Sequence, residues 1–221
     1  MSPADTALRV HHVDNALIVL DKPAGLLAVP GRGAAGADCL LARALKRWPD
    51  AQVVHRLDMA TSGLIAYARG GAAQRALGIA FAERRVHKRY VAIVWGHLAP
   101  AASADGWGEI DLPLIVDWPN RPKSRVDLTA GKPSRTRWHV VAHGQIGGQP
   151  VTRVALEPVT GRSHQLRVHL LALGHPIVGD ALYAPPTVAA LAPRLLLHAC
   201  ALGLPHPASG TSVHLGSPAP F

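Results

Sequence analysis

The sequence predicts an α+β fold, with a mixed, largely antiparallel sheet flanked by helices and loops. Short apolar stretches of strand length recur along most of the chain, and turn-forming residues separate them. Only a few stretches carry the periodicity of an amphipathic helix. A chain of 221 residues suits one domain, or one domain with a large insertion, and is long enough to bury a substantial core.

Strands are predicted where apolar, β-branched and aromatic residues cluster between turn residues. The first prediction is a strand pair within Leu8–Leu20, broken by a tight turn, with Ala16–Leu20 as its second strand. The further predicted strands are Leu64–Tyr67, His87–Trp95, Thr136–Ala142, Val151–Glu157, Leu195–Leu204 and Ser212–Leu215. In His87–Trp95 both alternating faces carry apolar residues, which indicates a strand covered on both sides.

Helices are predicted where apolar residues recur at helical spacing: Cys39–Trp48, Ala72–Arg85 and His164–Leu173. Asp38 is expected to cap the first helix and Ser163 the third, because short polar side chains accept hydrogen bonds from the first free N–H groups of a helix. Ala28–Gly36 and Ala99–Gly108 are predicted loops, and no element is predicted within the proline-containing segment Asp111–Lys132.

The composition argues against a disordered chain, a membrane-spanning chain and a secreted one. Hydrophobic residues make up 48% of the sequence, and no apolar run approaches the length of a membrane span. Met1–Ala7 lacks the apolar core of a secretory signal. Cys39 and Cys200 form neither a CxxC pair nor part of a zinc-ligand group, so a reduced, cytoplasmic setting is predicted.

The charge balance favours a polyanionic partner. Lysine and arginine number 23 against 14 acids, which gives a formal charge of +9 and a pI of about 10.4. Arginine supplies 18 of these cations, and its planar guanidinium can bind a phosphate through two hydrogen bonds or stack on a base. An organism-wide preference for arginine and alanine would explain the same count. Charge alone therefore indicates nucleic acid without establishing it.

Asp58 lies in the most distinctive stretch of the chain, Val54–Gly63, which reads VHRLDMATSG. His55 and Arg56 precede the acid, small turn-forming residues follow it, and apolar strands flank the whole stretch. This arrangement would hold an ionised carboxylate rigidly at the lip of a cleft. The alternative is an ordinary turn, in which the Asp58 side chain accepts hydrogen bonds from the following backbone.

Two further strings contain candidate functional residues. Thr160–His169 reads TGRSHQLRVH, and it places Arg167 near the start of a predicted helix, where its guanidinium could face a carboxylate from another segment. Contact with phosphate or solvent is the ordinary alternative for such an arginine. Tyr90 lies in the predicted strand His87–Trp95, where core packing is the commoner role of a tyrosine.

The sequence supports neither a metal nor a nucleotide cofactor. Although there are 13 histidines, His164 and His169 are five residues apart, which suits one helix face poorly, and no H-E-x-x-H motif is present. A Walker loop and a G-x-G-x-x-G motif after a strand are also absent from the sequence.

The motifs resemble those of the RluA family of pseudouridine synthases. The similar strings are Asp-Lys-Pro-Ala-Gly-Leu from Asp21, HRLDMATSG from His55, KRYVAIVWG from Lys88 and GRSHQLR from Gly161, and the resemblance covers nearly the whole chain. It implies the pseudouridine synthase catalytic fold in a single domain, 1–221, with no room for the separate N-terminal RNA-binding domain of many relatives. Ile177–Tyr183 and Leu196–Ala199 also resemble family positions, which are expected to be mostly structural.

The resemblance also implies roles for individual residues. Asp58 would be the catalytic nucleophile or base, Arg167 would pair with it and keep it ionised, and Tyr90 would stack on the target uracil and take the C5 proton late in the reaction. Arg56 would enter the space that the extruded base leaves. The residues expected to contact RNA are His55, Arg56, Lys88, Arg121, Lys123, Arg125 and Arg162.

The function implied is the isomerisation of specific uridines in structured RNA, without a cofactor. Asp111–Lys123 and the short N-terminus are similar to dual-specificity members of the family, which implies a 23S ribosomal RNA hairpin and the tRNA anticodon stem-loop as substrates. No obligate protein partner and no membrane is implied. Two alternatives are a non-catalytic RNA-binding or ribosome-assembly protein, and a hydrolase that uses Asp58 and His55 as acid and base.

Overall fold

The computed structural model describes residues 8–31, 33 and 36–221. The predictions made for Met1–Ala7, and for Arg32, Ala34 and Ala35 in the first loop, fall outside these residues. The protein is an α+β fold dominated by strands, as the sequence predicts. Among the described residues, no helix combines the length and the apolar character needed to cross a bilayer.

The strands in chain order are β1 (Arg9–Val13), β2 (Leu17–Lys22), β3 (Ala51–Val53), β4 (Ser62–Arg69), β5 (His87–Trp95), β6 (Trp107–Asp111), β7 (Leu114–Val116), β8 (Ser124–Val126), β9 (Arg135–Ile146), β10 (Gln149–Pro158), β11 (Leu197–Pro205) and β12 (Ser212–Gly216). The α-helices are α1 (Leu40–Leu45), α2 (Gly70–Ala82), α3 (Gln165–Ala172) and α4 (Pro186–Ala189). A 3₁₀ turn, Trp118–Asn120, lies between β7 and β8.

The chain divides into two compact units, the first made of residues up to Lys88 together with Ala199–Pro220. In this unit β1, β2 and β4 pair antiparallel in that order, β3 pairs with β4, and β11 pairs with β12. Helix α2 packs against β4 because Ala73, Leu77 and Ala80 project from one helix face into a core that includes Leu64 and Ala66.

The second unit comprises Arg89–His198 and Phe221. Strands β5, β10, β9 and β6 pair antiparallel in that order, and β7 and β8 form a separate two-stranded hairpin. One core cluster of this unit combines Ile93 and Val151 with residues from the loops around α4. We refer to the hairpin with its turn, Leu114–Val126, as the arm.

Both predicted helix caps are wrong. Cys39, not Asp38, is the N-cap residue of α1: its Sγ accepts a hydrogen bond from the Ala42 N–H at 3.3 Å. The Asp38 carboxylate instead accepts two hydrogen bonds from Arg43, at 2.8 and 2.7 Å. Helix α1 also ends at Leu45, short of the predicted Trp48.

Ser163 does not cap α3, because His164 occupies the N-cap position in a left-handed conformation with φ 56°. The Gln165 side chain organises this turn instead: its Oε1 accepts hydrogen bonds from the Arg162 N–H at 3.0 Å and from the Thr160 hydroxyl at 2.7 Å. Helix α3 consequently begins at Gln165, one residue later than predicted.

Several strands differ from the predictions in length or were missed. Strand β9 is longer than Thr136–Ala142 because it continues to Ile146 and forms a hairpin with β10. The predicted loop Ala99–Gly108 already contains the start of β6, and the segment Asp111–Lys132 contains the arm.

Candidate active site

Asp58 lies in the connection between β3 and β4, next to exposed Arg56 and Met59 and only partly buried itself. The main-chain carbonyl of Asp58 accepts the hydrogen bond that closes this turn, from the Thr61 N–H at 3.1 Å. A backbone hydrogen bond therefore contributes to the closure of the turn, and the turn role of the carboxylate stays a prediction. Buried Leu57, Thr61 and Ser62 anchor the connection on either side of the acid.

A buried lysine holds the Asp58 turn in place. Lys22 is fully buried, and its Nζ donates hydrogen bonds to the carbonyls of Pro23, Leu26 and Met59 at 2.8, 2.7 and 2.9 Å. The Met59 carbonyl also accepts a hydrogen bond from the Gly25 N–H at 2.9 Å. The residues after β2 are thus tied to the residue that follows Asp58. The sequence reasoning noted the Asp-Lys-Pro string but missed this role of Lys22.

Gly63 fixes the path of the chain as it leaves the turn. Its φ is 110°, and a Cβ at this position would lie 2.3 Å from the carbonyl oxygen of Ala199 in β11. Only glycine fits such a conformation with the neighbouring backbone so close. Any other residue at position 63 would therefore require a shift of the backbone where the Asp58 connection enters β4.

His55 lies in the same connection and contacts β4 and α2. Its Nε2 accepts a hydrogen bond from the Ala66 N–H at 2.9 Å, and its ring stacks on Phe81 with centroids 4.9 Å apart. Burial, with a smaller contribution from the charge of Lys88, lowers the pKa of His55 to about 3. The ring is therefore neutral, with its proton on Nδ1. This arrangement disfavours the acid–base hydrolase, and contact of His55 with RNA stays a prediction.

Arg167, in the second unit, is clamped by an acid that the sequence reasoning did not single out. Arg167 is 4% exposed, and its Nε and Nη2 donate to the two carboxylate oxygens of Asp180 at 2.8 and 2.6 Å. Asp180 also accepts hydrogen bonds from the backbone N–H groups of Leu182 and Tyr183. The Tyr183 ring lies against the guanidinium, with Cζ 4.9 Å from its centroid. Pairing of Arg167 with Asp58 stays a prediction.

Tyr90 and Lys88 lie on β5. Tyr90 is 9% exposed and pairs in register with Leu156 of β10, so it is a buried strand residue as the packing alternative predicts. Stacking of Tyr90 on a uracil stays a prediction. Burial lowers the pKa of Lys88, which is partly covered rather than extended into solvent.

The other residues expected to contact RNA lie in the second unit. Arg121 is exposed on the arm, and its guanidinium lies 4.0 Å from the ring centroid of Trp118, which is itself 66% exposed. Arg125 pairs with Asp127 at 2.8 Å, so part of its charge is neutralised within the protein. Lys123 is partly buried, and exposed Arg162 donates to the Pro133 carbonyl at 3.3 Å.

One cluster has the geometry of a metal site within the described part of the chain: His12, Asp14 and His206. The Nδ1 of His206 accepts hydrogen bonds from the N–H groups of Ala208 and Ser209, so its proton lies on Nε2 and is donated to Asp14 at 3.0 Å. Partial burial acts to raise the pKa of Asp14, but hydrogen bonds from the Ala16 and Leu17 N–H groups and from both histidines hold it far below its usual value. The cluster is thus better described as a hydrogen-bonded carboxylate than as a metal site.

The chain is similar to known proteins along nearly its whole length. A sequence model of the family described as RNA pseudouridylate synthase matches residues 16–172. The dual-specificity RNA pseudouridine synthase RluA of Escherichia coli O6:H1 is 51% identical over 219 residues, which cover 99% of this chain and 96% of the relative. The RluA protein of Pasteurella multocida is 45% identical over the same share of each chain.

Solved structures of pseudouridylate synthase domains also resemble this chain. The human protein described as RNA Pseudouridylate Synthase Domain Containing 1 aligns with a TM-score of 0.81 and 30% identity, covering 100% of this chain and 87% of its own. Human RNA Pseudouridylate Synthase Domain Containing 4, at 24% identity and a TM-score of 0.71, shares the fold. The expected resemblance and fold are confirmed, and the chain belongs to the RNA pseudouridylate synthase family, the enzymes that isomerise uridine to pseudouridine in RNA.

Proposed function

We propose that the protein isomerises uridines in stem-loops of ribosomal RNA and of tRNA, and that Asp58 is the residue that acts on the target nucleotide. The hydrogen bonds that hold the Asp58 turn in place are the observation that supports this proposal. Asp58 is partly exposed, and the carbonyl of the next residue, Met59, is bound by the buried ammonium group of Lys22, which also binds the carbonyls of Pro23 and Leu26. A reactive group that is accessible to solvent is held rigidly in this way.

The proposed reaction needs no redox partner and no cosubstrate. The bond between N1 of the uracil and C1′ of the ribose breaks, and a bond between C5 and C1′ forms. The hydrogen on C5 leaves as a proton, and N1 gains a proton, so atoms and electrons balance. Asp58 begins this sequence as nucleophile or base. By the family resemblance, Arg167 keeps Asp58 ionised, and Tyr90 stacks on the uracil and accepts the C5 proton.

Arg56 is proposed to stabilise the open RNA from which the target base has been extruded. Extrusion costs a few kcal/mol because stacking and pairing are lost. The exposed side chain of Arg56 lies two residues before Asp58, where its guanidinium can stack on the neighbouring bases. Arg56→Ala should therefore reduce turnover of a folded stem-loop more than turnover of a loose single strand. Equal losses on both RNAs would refute this role.

The choice of substrates rests on the relatives. The proteins that are about half identical to this chain are described as dual-specificity RNA pseudouridine synthases. We accordingly propose a large-subunit ribosomal RNA hairpin and the tRNA anticodon stem-loop as substrates, and a cytoplasmic location, where both RNAs occur. The positive charge of the chain supports binding to such polyanions.

Release of the C5 hydrogen from RNA labelled with tritium at C5 of uridine tests the proposal directly. The wild-type protein should release tritium, and Asp58→Asn should abolish release. Asp38→Asn is the matched control, because Asp38 is an exposed aspartate just before α1 that bonds to Arg43. Unchanged RNA with retained binding would identify a non-catalytic RNA-binding protein, and free uracil would identify a hydrolase. Either result would refute the proposed isomerisation.

A further inference from the structure

We propose that Tyr183 is a positioning residue, which ties the arm to α3 and holds the guanidinium of Arg167 in the orientation that catalysis requires. The inference rests on the proposed function of Arg167 and goes beyond it. It assigns a role to a residue for which the sequence predicted only a structural one. Every contact that supports it lies within the second unit.

The Tyr183 hydroxyl joins two elements that are far apart in the sequence. It accepts a hydrogen bond from the backbone N–H of Ser124 in β8 at 2.8 Å, and it lies 2.6 Å from Nδ1 of His164. A hydroxyl has one proton and two lone pairs, so the same oxygen can make both hydrogen bonds at once. One hydroxyl thus connects the arm to the N-cap residue of α3.

His164 needs such a contact because its backbone is strained. Its φ of 56° is unfavourable for a residue with a Cβ, and such conformations persist where the surroundings enforce them. The side chain is held by the Tyr183 hydroxyl and meets the Tyr183 ring edge-on, with centroids 5.5 Å apart. The position of His164 in turn sets where the first turn of α3 presents Arg167, three residues later.

The rest of Tyr183 restrains Arg167 directly. Its ring lies against the face of the guanidinium, while Asp180 binds one edge through two hydrogen bonds. Asp180 also accepts the Tyr183 N–H at 3.3 Å, so the backbone of Tyr183 and the partner of Arg167 are fixed together. The guanidinium is therefore restrained on one edge by the acid and on one face by the ring.

The arm connects this restraint to the RNA. It carries Arg121, Lys123 and Arg125, which are proposed to bind phosphates, and its strand β8 lies against α3. The Ser124 N–H that donates to Tyr183 lies between Lys123 and Arg125 in the chain. RNA that binds the arm would thus fix the position of the Ser124 N–H, which donates to the Tyr183 hydroxyl and orients it. We infer that phosphate binding on the arm and the orientation of Arg167 are coupled through this hydroxyl.

Removal of the hydroxyl tests the inference, and Tyr67 provides a matched control. Tyr183→Phe keeps the ring but loses both hydrogen bonds, whereas Tyr67→Phe removes a buried hydroxyl that donates to the Ala28 carbonyl in the first unit. We expect Tyr183→Phe to lower kcat by about tenfold with a smaller change in KM, as for a misplaced catalytic group. Tyr67→Phe should lower the melting temperature and leave kcat unchanged. Equal kcat for the two variants would overturn the proposal.

A double-mutant cycle tests the coupling between the arm and Tyr183. Arg121→Ala should lower kcat/KM in the wild-type background, and it should lower it less in the Tyr183→Phe background, because the link to Arg167 is already broken. Multiplicative effects of the two substitutions would refute coupling through the hydroxyl.

A measurement without RNA separates this inference from the proposed function. The Nε–H of Arg167 is buried against Asp180, so its proton should exchange slowly with solvent in the ¹⁵N-labelled wild-type protein. Exchange should be faster in Tyr183→Phe and unchanged in Tyr67→Phe. Unchanged exchange in Tyr183→Phe would overturn the positioning role even in an active enzyme. A wild-type protein that releases no tritium would refute the proposed function, and the exchange rates would still decide what Tyr183 does.

Discussion

Lys22 is a charged residue at a position where a charge is costly. A buried ammonium group is tolerated when hydrogen bonds replace its water shell, and three carbonyls surround Nζ here. Two of these carbonyls come from the residues after β2, and the third comes from Met59, next to Asp58. Lys22 therefore stabilises the Asp58 turn, although its side chain is buried in the core.

Substitution of Lys22 should affect both stability and activity. Lys22→Met keeps the apolar stem but removes the donor that three carbonyls share, and the Met59 carbonyl keeps just its bond from the Gly25 N–H, so we expect a loss of about 3 kcal/mol in the free energy of unfolding. Tritium release should fall as the Asp58 turn loosens. Lys46→Met, at the exposed end of α1, is the control and should change neither quantity. Urea unfolding measures the free energy of unfolding of both variants. Equal stability of Lys22→Met and Lys46→Met would contradict the prediction.

His55 should make the stability of the protein depend on pH. Its pKa is about 3 in the folded chain against an ordinary value of 6.5, so between these values the unfolded chain binds the extra proton. The stabilisation is fully present above pH 6.5, and it is lost as the pH falls towards 3, at up to about 1.4 kcal/mol per pH unit. Urea unfolding at several pH values should show this slope in the wild-type protein.

The variant His55→Gln isolates the contribution of this ring. It should have a smaller loss of stability between pH 6.5 and pH 4.5 than the wild-type protein. His214→Gln replaces an exposed histidine and should keep the wild-type slope. An identical pH dependence of all three proteins would show that the ring titrates normally in the folded state.

The arm contains two arginines that differ in their surroundings. Arg121 stacks over exposed Trp118, and Arg125 is paired with Asp127. A cation that already has a carboxylate partner gains less from a phosphate, because one interaction replaces another. The contribution of each arginine to RNA binding should therefore depend on whether it already has a carboxylate partner in the protein.

Salt-dependent RNA binding distinguishes the two arginines. Arg121→Ala should weaken binding of the stem-loop and reduce the slope of log K against log salt by about one. Arg125→Ala should change the slope less, since its charge is partly neutralised by Asp127. A larger loss for Arg125→Ala would show that the pair with Asp127 opens on binding. Filter binding at several salt concentrations measures both slopes.

The elements also show why sequence reasoning succeeded in part. The existence of α2 and β5 could be predicted because their apolar residues repeat with a clear period. The arm was missed because its strands have three residues each, too few for a period, and prolines interrupt the segment. The caps at Asp38 and Ser163 were wrong because a suitable side chain near a helix start does not decide which residue takes the cap geometry.

The same contrast holds for the candidate site. Asp58 and Arg167 could be singled out because each lies in a string of distinctive residues. Lys22, Asp180 and Tyr183 have roles that depend on partners 13 to 59 residues away, as for the bond from Ser124 to Tyr183, and no local pattern reveals such contacts. Sequence alone therefore singled out the proposed reactive groups but not the residues that hold them in place.

At the scale of the molecule, the prediction of a single catalytic domain remains to be tested. The boundaries between the two compact units fall within β5 and β11, so each of these strands has residues in both units. We therefore expect one cooperative unfolding transition, with coincident curves from far-ultraviolet circular dichroism and tryptophan fluorescence. Two separated transitions would show that the units unfold independently.

The first unit is discontinuous in sequence, since Ala199–Pro220 completes it after the second unit has been traversed. During synthesis the nascent chain emerges from its N-terminus, and domains fold as they become complete. The residues that surround Asp58 therefore wait for Ala199–Pro220, which leaves the ribosome after Arg89–His198 has become available to fold. The backbone of Ala199, which Gly63 accommodates so closely, is synthesised only after the whole of Arg89–His198.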